Sequence, residues 1–255
     1  MVHPVQRAEG PAVLKLTWPH LEAATEHFAL RHWSGVGAVR LLRADPTRWA
    51  LLLEPLDADR DLHGIPIEPA CQIVGGLLRD LRVPAPPTVP PLGRYAARAA
   101  AAFDRALATG PSTVPRRFLE QAKALADDLC QDLAAPGAPA VLLHTDLHYA
   151  NVLAGPHDGR APWLAIDPKP MSGDPAVEIA PLLCNRADEL GTGSTVRESL
   201  RRRLEIVCEA AQVDPDRARG WTIVREMDNL LDLGVDPGTT SRRSLAVAII
   251  KAMQP

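Results

Sequence analysis

Lysine is scarce in this chain: only Lys15, Lys123, Lys169 and Lys251 stand among 28 basic residues. Together with abundant Ala and Pro, that bias fits a GC-rich genome in which Lys codons drift to Arg. Each Lys that remains raises the question of what a compact ammonium does that a guanidinium cannot. Cysteine is equally thin. Cys71, Cys130, Cys184 and Cys208 lie far apart with no C-x-x-C spacing, which argues against a structural zinc and fits a reduced cytoplasmic protein. No apolar run approaches the ~20 residues that cross a bilayer. The opening MVHPVQRAEGPAV has neither the basic start nor the apolar stretch of a secretory signal, so no membrane partner is expected. A dominant charge sign is missing too. A net charge of −3 with 23% charged residues excludes a polycation that grips nucleic acid through bulk charge, and excludes a disordered polyelectrolyte.

What the chain has is apolar mass. With 46% apolar side chains in 255 residues it can bury a large core, as one large domain or two modest ones. The start reads as β-α-β. Ala12–Thr17 alternates like a strand with Val13, Lys15 and Thr17 on one face. His20–Trp33 reads as a helix entered through Pro19, with Leu21, Phe28 and Leu30 inward and Glu22 and Glu26 sharing a face. Ala38–Arg43 and Trp49–Glu54 read as paired strands around an Asp45-Pro46 turn. Helices are expected over about 67–82, 92–109, 115–134, 175–190, 195–212, 214–234 and 240–253. Short strands are expected at Ala140–Leu143 and Trp163–Ile166. Val83–Pro91 holds five prolines in nine residues, a stiff extended connector. The expected architecture is a small β-rich lobe over residues 1–56 and a larger helical lobe over 57–255, joined near Glu54–Leu56.

The chemistry concentrates in Val141–Asp167. A buried strand delivers His144, Asp146, His148 and Asn151 into a polar loop. After a Gly-Pro-x-x-Gly turn, a second strand puts Asp167 at its end, sixteen residues beyond Asn151. Phosphoryl transfer uses such a set: one carboxylate to orient an acceptor hydroxyl and take its proton, and an amide oxygen with a second carboxylate to hold Mg²⁺. Hard oxygen donors suit Mg²⁺ better than zinc. A competing reading takes His144, Asp146 and His148 as ligands of a zinc or iron, with His157 as a further ligand. Asp174, before Pro175, is expected as a helix N-cap, and Glu178 as a structural residue. The remaining histidines read as surface or packing residues.

The pattern H-x-D-x-x-x-x-N followed by a strand-end Asp resembles the catalytic and metal loops of protein kinases. The fuller strings HTDLHYAN and IDPKPMSGDPAVEIA are more specifically similar to aminoglycoside phosphotransferases, in the streptomycin 6-phosphotransferase and hydroxyurea phosphotransferase branch. VLKLTWPHLEAATEHFAL resembles that branch's Lys strand and following helix, and ALLLEPL its hinge; WTIVREMDNLLDLG is similar to a late helix of the family. The resemblance implies an α+β, two-lobed protein-kinase-like fold, with residues 1–56 as the nucleotide-binding lobe. It implies ATP and Mg²⁺ as cofactors and a small-molecule acceptor. Residue by residue it makes Asp146 the catalytic base and Asn151 and Asp167 the Mg²⁺ ligands. Lys15 would hold the α and β phosphates, paired with Glu26 or, one turn earlier, Glu22. Backbone groups of Glu54 and Leu56 would meet the adenine edge, and His144 would brace the loop. Lys169 would face either a phosphate or a loop carboxylate. Because aminoglycosides are polycations, Asp188, Glu189, Glu226, Asp228 and Asp232 are the expected lining of an acidic acceptor pocket.

One feature departs from the family. Only fourteen residues precede Lys15, with Gly10 the single glycine among them. That is room for one strand, Val2–Arg7, and a turn at Glu9-Gly10-Pro11, but not for another strand and a phosphate-covering loop. Three functions follow: a kinase for an aminoglycoside such as streptomycin, a kinase for hydroxyurea or another small metabolite, or a kinase-like protein without turnover.

Overall fold

The computed structural model describes residues 1–20, 22–109, 114–156, 158–233 and 237–254. Leu21 and His157, named above, lie outside them. The chain opens with strands β1 (Val2–Arg7) and β2 (Gly10–Leu16), joined by a tight turn in which Arg7 faces Gly10. Gly10 has φ +117°, a conformation that side chains rarely adopt, so the turn needs its glycine. After helix α1 (Glu26–Trp33), strands β3 (Leu41–Asp45) and β4 (Ala50–Leu53) complete an antiparallel sheet in the order β1-β2-β4-β3. The single strand ahead of the Lys strand is thus present, at the sheet edge.

The rest is mainly helical, with two small sheets. Strand β5 (Asp57–Asp61) and helices α2 (Ile67–Asp80), α3 (Leu92–Ala108) and α4 (Arg116–Ala134) come first. Strands β6 (Val141–Leu143), β7 (Val152–Ala154), β8 (Trp163–Ala165) and β9 (Met171–Gly173) follow. Helices α5 (Ala180–Leu183), α6 (Ser194–Ala211), α7 (Pro215–Asp232) and α8 (Thr240–Ala252) end the described chain. One sheet runs β5-β7-β8 and the other pairs β6 with β9. The proline-rich connector lies extended along the second: Leu142 N–H donates to Val83 O (2.8 Å), Ala85 N–H to Ala140 O and Ser172 N–H to Pro90 O (both 2.9 Å). Proline suits this position because it carries no N–H to strand at a sheet edge.

Three sequence expectations change. The helix drawn from His20 is α-helical only from Glu26. The chain before it makes a local turn, with the His20 ring 2.7 Å from Trp18 O, and one 3-10 turn over Ala23–Thr25. Glu22 and Glu26 therefore do not share a helix face. The strand drawn from Ala38 begins at Leu41, because the residues before it cross to β8 instead. Val39 N–H donates to Ala165 O and Ala165 N–H to Gly37 O, both at 2.9 Å, stitching the first sheet to the second. The helix drawn over 175–190 is broken into 3-10 turns at Pro175–Ile179 and Ala187–Leu190 around the short α5. Arg186, at φ 53°, interrupts it: its guanidinium donates to the Leu62 and Ile65 carbonyls, while Arg203 donates to the Asn185 and Arg186 carbonyls. Tertiary bonds win there over local helix propensity.

The helical core is closed by α2 packing on α6, where Gly75 permits the approach. A Cβ on Gly75 would lie 2.6 Å from Ala210 Cβ and 2.9 Å from Val207 O. Alanine ordinarily favours a helix over glycine. Here overpacking reverses the sign, and Gly75→Ala is expected to lower stability by about 1–3 kcal/mol in urea unfolding. A stabilised variant would mean that the α2–α6 contact is looser than described.

Candidate active site

The first sheet, α1 and the β6–β8 region meet at one ammonium. Strand β2 points Lys15 into a slot of about 170 Å³, whose wall includes Val13, Val39, Leu53, Leu153 and Ile166. The first residue of α1, Glu26, is buried there and takes the Lys15 ammonium on both oxygens, at 2.6 and 2.8 Å. Asp167, just past β8, accepts from the same nitrogen at 2.5 Å. Glu26, not Glu22, is therefore the partner of Lys15. Glu54 and Leu56 also line the slot. The Glu54 N–H is already bonded to Arg40 O (3.0 Å), so only its carbonyl stays open to a base edge. Its carboxylate accepts from Arg40 N–H at 2.7 Å and clamps the Arg160 guanidinium at 2.9 and 2.5 Å, tying the hinge to the β7–β8 loop.

The loop after β6 is held by groups from three directions. The buried Glu178 carboxylate accepts the N–H of His144 (2.6 Å) and of Thr145 (2.8 Å). Arg225 on α7 donates to Thr145 O at 2.8 Å, and Lys169 N–H donates to His144 O at 2.9 Å. The His144 ring is fixed at both nitrogens: Nε2 faces Ile166 O (2.9 Å) and Nδ1 accepts the Asp146 N–H (3.3 Å). These contacts assign the tautomer with the proton on Nε2. Asn151 donates from Nδ2 to Asp146 O at 2.9 Å, which leaves its amide oxygen free to accept. Thr145 (φ 60°) and Asp167 (φ 58°) both sit in the left-handed region, a strain that clusters at functional loops. The His144 ring is thus unavailable to a zinc or iron. Among the described residues, no group of three His, Cys, Asp or Glu side chains forms a metal cage.

Beside the loop opens a larger cavity of about 620 Å³. Lys169 lies on its wall with its ammonium 3.0 Å from Asp146 Oδ2 and 3.8 Å from Glu22. Of the five acidic residues expected around an acceptor, Asp228 and Asp232 on α7 line this cavity. Asp188, Glu189 and Glu226 do not. Glu189 pairs with Arg186 at 2.6 Å, and Glu226 is buried with Asn229 at 3.2 Å. The wall is not uniformly acidic, for Arg94, Arg98 and Arg225 stand on it too.

A family model for aminoglycoside/hydroxyurea antibiotic resistance kinases matches residues 1–229. The chain belongs to that family. It is 37% identical to streptomycin 6-kinase of Streptomyces glaucescens over 257 residues, covering 100% of this chain and 81% of the relative. It is 40% identical to hydroxyurea phosphotransferase of Kitasatospora aureofaciens over 260 residues, 99% of this chain and 71% of that one. The fold is similar to a thermostable mutant of aminoglycoside phosphotransferase APH(4)-Ia in ternary complex with ADP and hygromycin B. That comparison gives a TM-score of 0.63 at 15% identity, covering 98% of this chain and 90% of the other.

In this antibiotic resistance kinase the site's charges are tuned by burial and pairing. Burial works against the Lys15 ammonium, but Glu26 and Asp167 outweigh it and hold the pKa above the ordinary lysine value. Burial would raise Asp167, yet Lys15 brings its pKa below the usual carboxylate range. Burial pushes Glu178 up to about 7, opposed by the two amides it accepts. Glu178 and Arg225 are braces whose placement the sequence did not reveal. Glu178 was expected only as a structural residue and Arg225 only as part of the string resembling a late helix, with no sign in either of the loop they hold. Asp174 does cap: it accepts the Ala176 N–H at 2.9 Å and also bonds Arg217 and Trp221.

Burial drives His144 down to about 4. Protonating Nδ1 would set two donors, its own N–H and that of Asp146, against each other. The unfolded histidine binds its proton near 6.5, whereas the folded one resists until about 4. Stability is therefore fully present above 6.5 and is lost as pH falls through that window. At pH 4.5 the loss is expected to be roughly 2–3 kcal/mol relative to pH 7. In His144→Asn, urea unfolding at the two pH values should lack that increment. An unchanged pH dependence would show that His144 is not the buried neutral group.

Proposed function

We propose that the chain transfers the γ-phosphoryl group of ATP to a hydroxyl of a small molecule, an aminoglycoside such as streptomycin. The observation that carries this reading is the Lys15–Glu26–Asp167 trio facing the braced loop of Asp146 and Asn151. In this reading residues 1–56 form the nucleotide lobe and 57–255 carry the catalytic loop and the acceptor cavity. Adenine lies in the apolar slot at Glu54 and Leu56. The Lys15 ammonium meets the α and β phosphates.

Mg²⁺ fits the donors at hand: the uncommitted Asn151 amide oxygen and the Asp167 carboxylate are both hard oxygens. When bound it would neutralise phosphate charge as the phosphoryl group moves. Asp146 orients the acceptor hydroxyl and takes its proton as that oxygen bonds to the γ-phosphorus and the bond to the β,γ-bridging oxygen breaks. Between Asp146 and Asn151 the chain has His148 but no Lys or Arg. Lys169, from the neighbouring segment, sets its ammonium 3.0 Å from Asp146 Oδ2 and keeps that carboxylate in place beside the transferring group. Catalysis then rests on alignment and on charges fixed before the reaction begins.

The completeness of this set favours turnover over a silent kinase-like role, even with one strand ahead of Lys15. A hydroxyurea kinase is the second reading, supported by arginines that offset the acidic cavity wall. Both predict acceptor-dependent ADP release in the presence of Mg²⁺. Asp146→Asn should reduce kcat by roughly 10²–10⁴ while ATP still binds. A coupled ADP assay run with streptomycin and with hydroxyurea identifies the acceptor. Retention of the full rate in Asp146→Asn would refute the assignment of the base.

A further inference from the structure

On the wall of the larger cavity, one arginine of the chain sits in what has the chemistry of a ligand site. Asp228 on α7 has a side chain only 5% exposed, and its Oδ2 accepts from Arg98 Nη2 at 2.7 Å. Tyr95, one turn before Arg98 on α3, lines the same cavity wall as Asp228. The Arg98 guanidinium carbon stands 5.4 Å from the centre of the Tyr95 ring. A buried carboxylate and an adjacent ring face together recognise a planar, delocalised cation through charge-assisted hydrogen bonds and cation–π attraction. Much of the present occupant faces solvent, for the Arg98 side chain is 55% exposed.

We propose that Tyr95 and Asp228 form a guanidinium-recognition subsite of the acceptor cavity, which Arg98 fills in the free protein and yields to a guanidinium group of the acceptor. The proposal rests on reading this cavity as the acceptor site. Exchange of one guanidinium for another never leaves Asp228 buried and unpaired, so the lone-charge penalty is avoided. Asp232, one turn further along α7 on the same cavity wall, offers the displaced Arg98 a second carboxylate. An acceptor without a guanidinium gains nothing from the subsite. The arrangement thus selects among acceptors by one functional group.

The test compares streptomycin, which bears guanidinium groups, with hydroxyurea, which has none. Binding is measured by calorimetry in the presence of a non-hydrolysable ATP analogue. Arg98→Ala, which empties the subsite, should bind streptomycin roughly tenfold tighter, and Asp228→Asn should bind it roughly tenfold weaker. Hydroxyurea and nucleotide affinities should stay within about twofold in both variants. Should Asp228→Asn fail to fold, Tyr95→Leu removes the ring face and should weaken streptomycin in the same direction. Streptomycin affinity unmoved by these changes, or no streptomycin binding to wild type and Arg98→Ala alike, overturns the subsite. Asn229→Trp separates this failure from that of the cavity reading, because Asn229 is an exposed wall residue that the bulk would block. Its loss of acceptor turnover with nucleotide binding intact supports the cavity as the acceptor site. Full turnover in Asn229→Trp overturns the cavity reading, and the subsite with it.

Discussion

An ammonium caught between two carboxylates is the interaction on which the rest of the structure depends. Glu26 and Asp167 come from opposite sides of the cleft, and burial would force either one toward neutrality if it stood alone. Lys15 opposes that push on both, with the two carboxylates within hydrogen-bond reach of its one nitrogen. That demand fixes three elements at once: the register of β2, the first residue of α1 and the end of β8. It also answers the question raised by the scarcity of lysine. A compact ammonium serves two carboxylates at a single point, whereas a planar guanidinium spreads its donors over a wider fork.

Around that centre the backbone is held in conformations that would otherwise relax. Thr145 and Asp167 carry positive φ, and each is pinned by bonds from other parts of the chain. Glu178 takes two consecutive amides, Arg225 takes the Thr145 carbonyl, and the His144 ring spans from the Asp146 amide to the Ile166 carbonyl. The strain is thereby distributed over a brace reaching from β6 to α7. The two sides of the cleft are stitched together by the Val39–Ala165 pairing and by the Glu54–Arg160 clamp. These braces fix the charged groups relative to one another, as electrostatic preorganisation requires.

Much of this was legible in the sequence. Lys15, Glu26, Asp146, Asn151 and Asp167 could be named because each lies in a short string that resembles the family's. The helices from α2 to α4 and from α6 to α8 followed from apolar periodicity and proline stops. Contacts between distant segments were not legible. Arg186 breaks the helix expected over 175–190 by reaching carbonyls more than a hundred residues earlier, and local propensity carries no trace of that. Asp188, Glu189 and Glu226 were placed at the acceptor by charge alone, yet charge does not say which way a residue faces. The same blindness hid the role of Arg98 and left Lys169 open between a phosphate and a loop carboxylate, the second of which, Asp146, stands 3.0 Å from its ammonium.

The central claim is that the Lys15–Glu26 pair anchors a nucleotide's phosphates. The direct measurement is calorimetric titration of MgATP into wild-type protein and into the double variant Lys15→Met, Glu26→Gln. Replacing both partners together removes the pair without stranding a buried charge. The double variant should bind MgATP roughly tenfold more weakly, with adenosine affinity little changed. Undiminished MgATP affinity in a folded double variant would contradict the claim.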